Sequence, residues 1–270
     1  MGPYCEHCGE KRRSGHDLSW RHICSELLET LVHFDSKILR SSWALVSRPG
    51  QLSVDYFAGR RIRYMAPLRL FLLLSVIYYL SNSIFPYNAF TTPLAVQLQM
   101  NNYYPGYAWS QLMQAMAQHG IGYAVLAQHY NAKTAILSKT LVFVLIPVYA
   151  LLFYAFLFHK RRQFAEHLVI ATHFWCYALL AIGIFIPLLL WALKGLAGLL
   201  GAAPEAMDTD AIATLILQLL FASYLLLMFR RAYGTSWWYG SLLALAFAWA
   251  FFDILWLYRL LLFVLTLRML

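Results

Sequence analysis

The chain has 270 residues, of which 61% are hydrophobic and 12% charged, whereas an average globular protein is about half apolar and a quarter charged. Its mean hydropathy is +0.58. This composition excludes an ordinary soluble protein and predicts an integral membrane protein. The 21 Lys and Arg exceed the 12 Asp and Glu, and in a membrane protein such an excess is first a signal of topology.

Residues 1–16 are predicted to form a zinc-knuckle-like segment. They lack the apolar stretch of a cleavable secretory signal, so the N-terminus is expected to stay in the cytoplasm. Cys5 and Cys8 form a CxxCG turn, which can present two thiolates to one zinc ion, and structural zinc takes four ligands. The remaining ligands could come from His16 and from Cys24 or His22. A redox pair, an inert turn and a site shared between subunits stay open as alternatives.

Residues 17–65 are predicted to form cytoplasmic amphipathic or interfacial helices. One helix is expected after Ser19. A second begins near Ser36 and stops before Pro49, and a short third covers residues 52–58. Basic residues follow where the first membrane span begins, and they are predicted to bind lipid headgroups. These residues are Arg60, Arg61, Arg63 and Arg69.

The run from residue 4 to residue 67 resembles an uncharacterised bacterial membrane family, domain of unknown function 3667. The resemblance is carried by YCEHCGEK, HFDSKIL and SRPGQLSVDYFAGRRIRYMAP. It implies a zinc-ribbon head on a multi-span bundle, and it implies nothing about catalysis. The second CxxC that usually precedes the knuckle in this family is missing, so either the start is truncated or the zinc site is half of the usual one.

Five apolar stretches are long enough to cross the hydrocarbon core, which takes about 20 helical residues. They are residues 66–85, 139–158, 168–192, 211–229 and 241–267. The sequence therefore predicts an all-α bundle of about five transmembrane helices over residues 66–270. Pro147 and Pro187 lie inside two of these spans and permit kinks.

Residues 86–138 form a long connection that carries almost no charge. It is predicted to contain short amphipathic helices that lie on the outer membrane face or cap the bundle. Helix starts are expected at Pro93 and Ser110, and a stop at Gly120.

The basic residues are distributed unevenly between the two ends of the spans. Sixteen of the 21 lie in the head or in connections on the same side of the membrane. The positive-inside rule then places the N-terminus in the cytoplasm and the C-terminus outside. Together with the bacterial family that the chain resembles, this implies the inner (plasma) membrane. The expected partners are membrane lipids and further copies of the chain. Nucleic acid is not expected, because acids are interleaved with the bases along the head.

Asp253 and Arg259 lie within the last span. A charge near the bilayer centre costs at least about 2.5 kcal/mol, so such residues usually face a bundle interior, a partner charge or water. They are candidates for lining a pore or a proton relay. The structural alternatives are that Arg259 extends towards the interface and that Asp253 bonds a neighbouring helix.

Glu166 and His173 are seven residues apart in the third span and share a helix face. Together with His167 they could relay protons or bind a metal. Hydrogen bonds between helices or at the interface are the more common role of such residues.

Three functions fit these features. The first is an oligomeric channel or transporter for an ion or small solute. The second is a membrane-anchored scaffold with a zinc-stabilised cytoplasmic head, and the third is a lipid-handling membrane enzyme that uses Glu166, His167 or His173. The sequence lacks HExxH, GxSxG, P-loop and dinucleotide-binding motifs, which favours a function without catalysis, although intramembrane enzymes can lack these motifs.

Overall fold

The computed structural model describes residues 36–85, 88–99, 105–201 and 209–270. Within these ranges every regular element is helical, which confirms the predicted all-α fold. The predicted zinc-knuckle segment and the helix expected after Ser19 lie outside the described residues.

The helices follow the chain in a simple order. They are α1 (Ser36–Ser47), α2 (Gln51–Phe57), α3 (Pro67–Ile84), α4 (Leu94–Gln99), α5 (Pro105–His119), α6 (Tyr123–Leu141), α7 (Leu145–Leu157), α8 (Phe164–Leu180), α9 (Ile186–Leu199), α10 (Thr209–Tyr233) and α11 (Trp237–Arg268). The 3-10 turn Val142–Val144 joins α6 to α7, and the π-helical turn Ala181–Phe185 joins α8 to α9.

Five continuous helices in the described ranges are long and apolar enough to cross a membrane, as predicted. They are span 1 (Pro67–Ile84), span 2 (Tyr123–Lys160), span 3 (Phe164–Leu199), span 4 (Thr209–Tyr233) and span 5 (Trp237–Arg268). We call the end of the bundle where span 1 begins the head end, and the opposite end the far end.

Span 2 begins at Tyr123 rather than at residue 139, so the connection after span 1 is shorter than expected. The first half of span 2, α6, is too polar to be recognised as a span, yet it buries one face whose residues recur every four positions. That face comprises Leu126, Tyr130, Thr134 and Ser138. At about 1.5 Å per residue, the 38-residue helix is about 57 Å long, more than the hydrocarbon core needs.

The far end has a small hydrophobic core of its own, formed by α4, α5, α6 and the end of span 5. Its buried residues are Leu94, Leu98, Ala108, Leu112, Ala115, Leu126, Tyr130, Phe263 and Leu267. The expectation that a helix starts at Ser110 is wrong, because α5 already begins at Pro105. The predicted stop is present, since α5 ends at His119 and Gly120 has a φ of 62°.

The head helices α1 and α2 pack against the bundle. Ser41 of α1 is buried, and its Oγ accepts a hydrogen bond of 2.9 Å from the backbone N–H of Met65. The Pro49 carbonyl accepts one of 2.8 Å from Nη1 of Arg231 in span 4. Both bonds fix backbone groups that stand outside regular helix, so they set how the head meets the spans.

Buried aromatic rings fill the middle of the bundle, and we call them the aromatic centre. They are Tyr149, Phe153, Phe174, Trp175, Phe221, Phe247 and Phe251. Most of the neighbouring rings meet edge to face or at a tilt, with centroids between 4.6 and 6.5 Å apart, as aromatic pairs prefer. The Trp175 indole Nε1 also donates to the carbonyl of Leu145 at 3.1 Å.

The two prolines inside spans coincide with the irregular turns. Pro147 has no N–H to offer the carbonyl of Phe143, which lies in the 3-10 turn of span 2. Pro187 likewise has no N–H to offer the carbonyl of Gly183, which lies in the π-helical turn of span 3. The backbone departs from α-helical geometry one turn before each proline because that bond is missing there.

We expect Gly183→Ala to destabilise the contact between spans 1 and 3. A Cβ at this position would lie 2.7 Å from Cδ2 of Tyr78, whose ring is buried, and overpacking of this kind costs about 1–3 kcal/mol. Gly195→Ala in the same span is the matched control, because nothing lies within 4 Å of its Cβ. Thermal unfolding in detergent should show a lower midpoint for Gly183→Ala only; equal midpoints would contradict the packing.

We expect Gly50→Ala to loosen the head from span 4. Gly50 and Gly59 have φ of 81° and 77°, so alanine at either costs about 1–2 kcal/mol of backbone strain. Only at Gly50 would the Cβ also meet a neighbour, 3.1 Å from Cα of Met228. Gly50→Ala should therefore lower the unfolding midpoint more than Gly59→Ala and speed hydrogen exchange in α1 and α2. A larger effect at Gly59 would refute this contact.

Candidate functional site

A cavity of about 850 Å³ opens at the far end of the bundle, and we call it the far cavity. Its walls come from residues 88–93, from the π-helical turn of span 3 through Ile182, and from spans 4 and 5. The polar and charged side chains among its lining are Asn88, Thr91, Thr92, Asp210, Thr214, Gln218, Asp253 and Arg259. An apolar bundle thus holds a cavity with several polar and charged lining residues near its far end.

Asn88 shapes the loop that forms one wall of this cavity. Its Oδ1 accepts hydrogen bonds of 3.1 Å from the backbone N–H groups of Phe90 and Thr91, an Asx-type turn. The Tyr78 hydroxyl accepts a bond from the N–H of Ala89 at 3.2 Å. Phe90 is fully buried beside Tyr78, with ring centroids 5.1 Å apart. The loop is therefore held in place by span 1 and by its own side chains.

Arg259 spans the distance between span 5 and this loop. Its Nε and Nη2 donate to the carbonyl of Ala89 at 3.1 and 2.7 Å. The guanidinium thus stays inside the far cavity, where a backbone carbonyl contributes to the satisfaction of its donors.

Asp253 lies in the middle of span 5 and also lines the far cavity. The structure therefore brings Asp253 and Arg259 to one cavity, although their spacing of six places them on different sides of the helix. Asp253 is exposed and falls on the same stripe as Leu245, Trp249 and Leu257, which are 62%, 68% and 65% exposed. Trp249 and Asp253 of this stripe line the cavity, so the cavity opens beside it.

A second cavity, of about 460 Å³, lies at the head end, and we call it the basic pocket. It sits between α2, the turn that follows α2, and the first turn of span 1. Its lining residues are Leu52, Tyr56, Arg60, Arg61, Tyr64, Met65, Ala66, Leu68, Arg69 and His173. Three of the four arginines expected to bind headgroups therefore line one pocket.

The arginines of this region have different neighbours. Arg60 donates through Nε to Asp55 at 2.9 Å, and the guanidinium of Arg61 stands 4.5 Å from the ring centroid of Tyr56. Arg63 stands 5.6 Å from the ring centroid of Tyr64 and is absent from the pocket lining. Cation–π contacts of this kind orient a guanidinium without neutralising it.

His173 reaches the basic pocket from span 3. It is 2% exposed, and its Nδ1 is hydrogen-bonded to Oγ of Ser53 in α2 at 2.8 Å. Its other ring nitrogen, Nε2, has no hydrogen-bond partner among the residues that the structure describes. The Ser53–His173 bond thus fixes the imidazole at the inner wall of the pocket and ties the head to span 3.

Glu166 has separate partners at the start of span 3. Its Oε2 accepts the backbone N–H of Gln163 at 3.0 Å in a capping box, and its Oε1 accepts from Nη1 of Arg162 at 2.6 Å. Within the described chain no hydrogen bond links Glu166 to His173. His167, between them, is hydrogen-bonded through Nδ1 to the hydroxyl of Tyr233 at 2.8 Å. These groups act as a helix cap and as bonds between helices.

Among the described residues no group of three or more His, Cys, Asp and Glu is placed to hold a metal ion. The predicted zinc ligands Cys5, Cys8, His16 and Cys24 all lie outside the described residues. Zinc binding therefore stays a prediction.

Sequence reasoning missed several lining residues of both cavities. Asp210 precedes the predicted fourth span, and Asn88 lies in the nearly uncharged insertion, so neither was a candidate. Tyr56 of the basic pocket lies in the DYFAGRR motif, so the motif itself was the available signal. Ser53 carried no signal, because its role depends on contact with a histidine 120 residues away.

The chain matches a family model described as "Protein of unknown function (DUF3667)" over residues 35–79. No curated protein and no solved structure matches the chain. The matched stretch covers α1, α2 and most of span 1, and it includes every residue that lines the basic pocket except His173. Over these residues the chain resembles a family of unknown function, and it is a protein with five helices suited to crossing a membrane.

Proposed function

We propose that the protein is an oligomeric membrane transporter for an ion or small solute, with the far cavity as its binding chamber. The observation that supports this function is the placement of Asp253 and Arg259 in one cavity within an apolar bundle. Charges at this depth are costly, so they are retained in membrane proteins chiefly along substrate and ion pathways.

The aromatic centre supports a transporter rather than an open channel. Along span 3, the buried Phe174 and Trp175 lie between Ile182 of the far cavity and His173 of the basic pocket. Phe251 lines the far cavity and stacks at a tilt on Trp175, with centroids 5.5 Å apart. The cavity is thus closed towards the head end by packed rings, and passage requires these rings to rearrange.

The π-helical turn Ala181–Phe185 is suited to such a rearrangement. It follows the aromatic centre and contributes Ile182 to the far cavity. Single π-helical turns are often found at functional sites. We propose that span 3 bends here when access alternates between the two ends.

The open side of the far cavity supports the oligomer. Asp253 lies on an exposed apolar stripe of span 5, and a carboxylate that borders lipid is unfavourable. A second copy of the chain packed on this stripe would close the cavity. With the N-terminus in the cytoplasm, as the distribution of basic residues predicts, the far cavity opens to the outside.

A cysteine pair tests whether the far cavity holds water and faces outside. Thr214 lines the cavity, whereas the adjacent Leu215 is 58% exposed on the outer surface of span 4. After Cys5, Cys8 and Cys24 are replaced by serine, Thr214→Cys in intact cells should react several-fold faster than Leu215→Cys with a membrane-impermeant maleimide, because thiolates form in water and not in lipid. Equal rates, or labelling of Thr214→Cys only in inverted vesicles, would contradict this arrangement.

Asp253→Asn tests transport itself. In proteoliposomes with separate gradients of H⁺, Na⁺ and K⁺, we expect the wild type to carry current with at least one ion. Asp253→Asn should reduce that current to background, because the carboxylate lies in the path. Lys194→Gln is the control, since it removes a charge at the far end of span 3 outside the far cavity. No wild-type flux, or unchanged flux in a correctly assembled Asp253→Asn variant, would refute the proposal.

A further inference from the structure

The basic pocket concentrates positive charge in a confined space. Arg60, Arg61 and Arg69 line it together, and no carboxylate is found among its lining residues within the described chain. Asp55, which binds Arg60, is 6% exposed and lies behind the pocket wall. Asp55 pairs with Arg60, whereas Arg61 stands over the ring of Tyr56 with no carboxylate of the described residues beside it, so this guanidinium gives the pocket a positive charge that favours an anion.

The polar groups around this charge match a tetrahedral oxyanion. A guanidinium offers paired N–H donors that fit two oxygens of one phosphate. Tyr56 and Tyr64 add hydroxyl-bearing rings to the lining. The imidazole of His173 binds Ser53 through Nδ1, so its Nε2 does not take part in that bond. Because Ser53 holds the imidazole, this nitrogen is positioned before any ligand arrives.

The start of span 1 adds backbone donors at the same place. Ala66 precedes this 18-residue helix and provides no side-chain cap, and Pro67 is its first residue. Leu68 and Arg69 line the pocket, and their N–H groups belong to the first helical turn, which has no intrahelical acceptors. Such a turn stabilises negative charge and complements the arginines.

We infer that the basic pocket is a binding site for a phosphate group, carried by a phospholipid headgroup or by a small phosphorylated molecule. The pocket lies where span 1 begins, so it is at the depth of the headgroups when the bundle crosses a bilayer. This site is distinct from the diffuse surface anchoring expected of four arginines, because Arg63 takes no part in it. It stands independently of transport through the far cavity.

Two probes distinguish the sources of the phosphate. The full chain in an uncharged detergent is measured by native mass spectrometry with phosphatidic acid and with phosphatidylcholine of the same acyl chains, and by calorimetry with inorganic phosphate. We expect one saturable site per chain for phosphatidic acid, for inorganic phosphate or for both. A preference for the lipid identifies the headgroup as the source, and binding of inorganic phosphate alone identifies a small molecule. Saturable binding of neither probe overturns the inference.

Matched arginine variants test the pocket against general surface charge. Arg61→Ala and Arg69→Ala should each weaken binding about tenfold or more, because a charge-assisted bond is lost. Arg63→Ala removes the same charge from the same region outside the pocket and should change the affinity less than about twofold. Equal weakening by Arg63→Ala and Arg61→Ala would mean diffuse attraction and would refute the site.

Conservative variants keep the test valid if an alanine variant fails to fold. Arg61→Lys keeps the charge but loses the paired donors, and we expect it to bind several-fold more weakly than the wild type at an unchanged unfolding midpoint. His173→Gln should weaken phosphate binding. In this variant background, Arg63→Ala should still change the affinity as little as it does in the wild type. An affinity unchanged by both Arg61→Lys and Arg69→Lys would contradict bidentate recognition and overturn the inference.

Discussion

From Ile170 to Gly183 every residue of span 3 is buried, so other helices surround this stretch on all sides. Its residues meet span 1 at Tyr78, span 2 at Tyr149, and spans 4 and 5 at Phe221 and Phe251. In lipid there is little hydrophobic gain from bringing helices together, so close packing and internal hydrogen bonds have to hold the bundle. The aromatic centre on span 3 supplies both, through interlocked rings and the bond from Trp175 to Leu145.

The two cavities lie at opposite ends of this packed segment. His173, near its start, lines the basic pocket, and Ile182, near its end, lines the far cavity. A change in the packing of span 3 would therefore alter both the basic pocket and the far cavity. The π-helical turn before Pro187 is the part of span 3 that lacks a regular α-helical backbone hydrogen bond.

Much of the architecture could be predicted from the sequence, because membrane spans are set by local composition. Four spans were recognised within a few residues of their observed cores, and the stops before Pro49 and at Gly120 follow from local backbone chemistry. Span 2 was recognised only in part. Its first half, α6, carries polar residues such as Thr134 that are acceptable only because they bond a neighbouring helix, here Thr266 at 3.0 Å.

The candidate sites were predicted less completely than the spans. Asp253 and Arg259 were found because charges in an apolar helix are conspicuous, and three of the four arginines near span 1 do share a pocket. The common helix face of Glu166 and His173 allowed a relay, with hydrogen bonds between helices or at the interface as the more common role, and each residue binds a different partner. A shared face shows which residues can meet a neighbour, and it does not show which neighbour is there.

By itself the sequence determined that this is a membrane protein, how many spans it has and how unevenly its basic residues are distributed. These properties depend on composition and on order along the chain. Only the tertiary structure decided which polar groups meet. Ser53 and His173 are 120 positions apart, and Ala89 and Arg259 are 170 apart. An apolar helix surface packs on lipid or on protein equally well, so the sequence alone leaves open which face is buried, and the cavities arise from that choice.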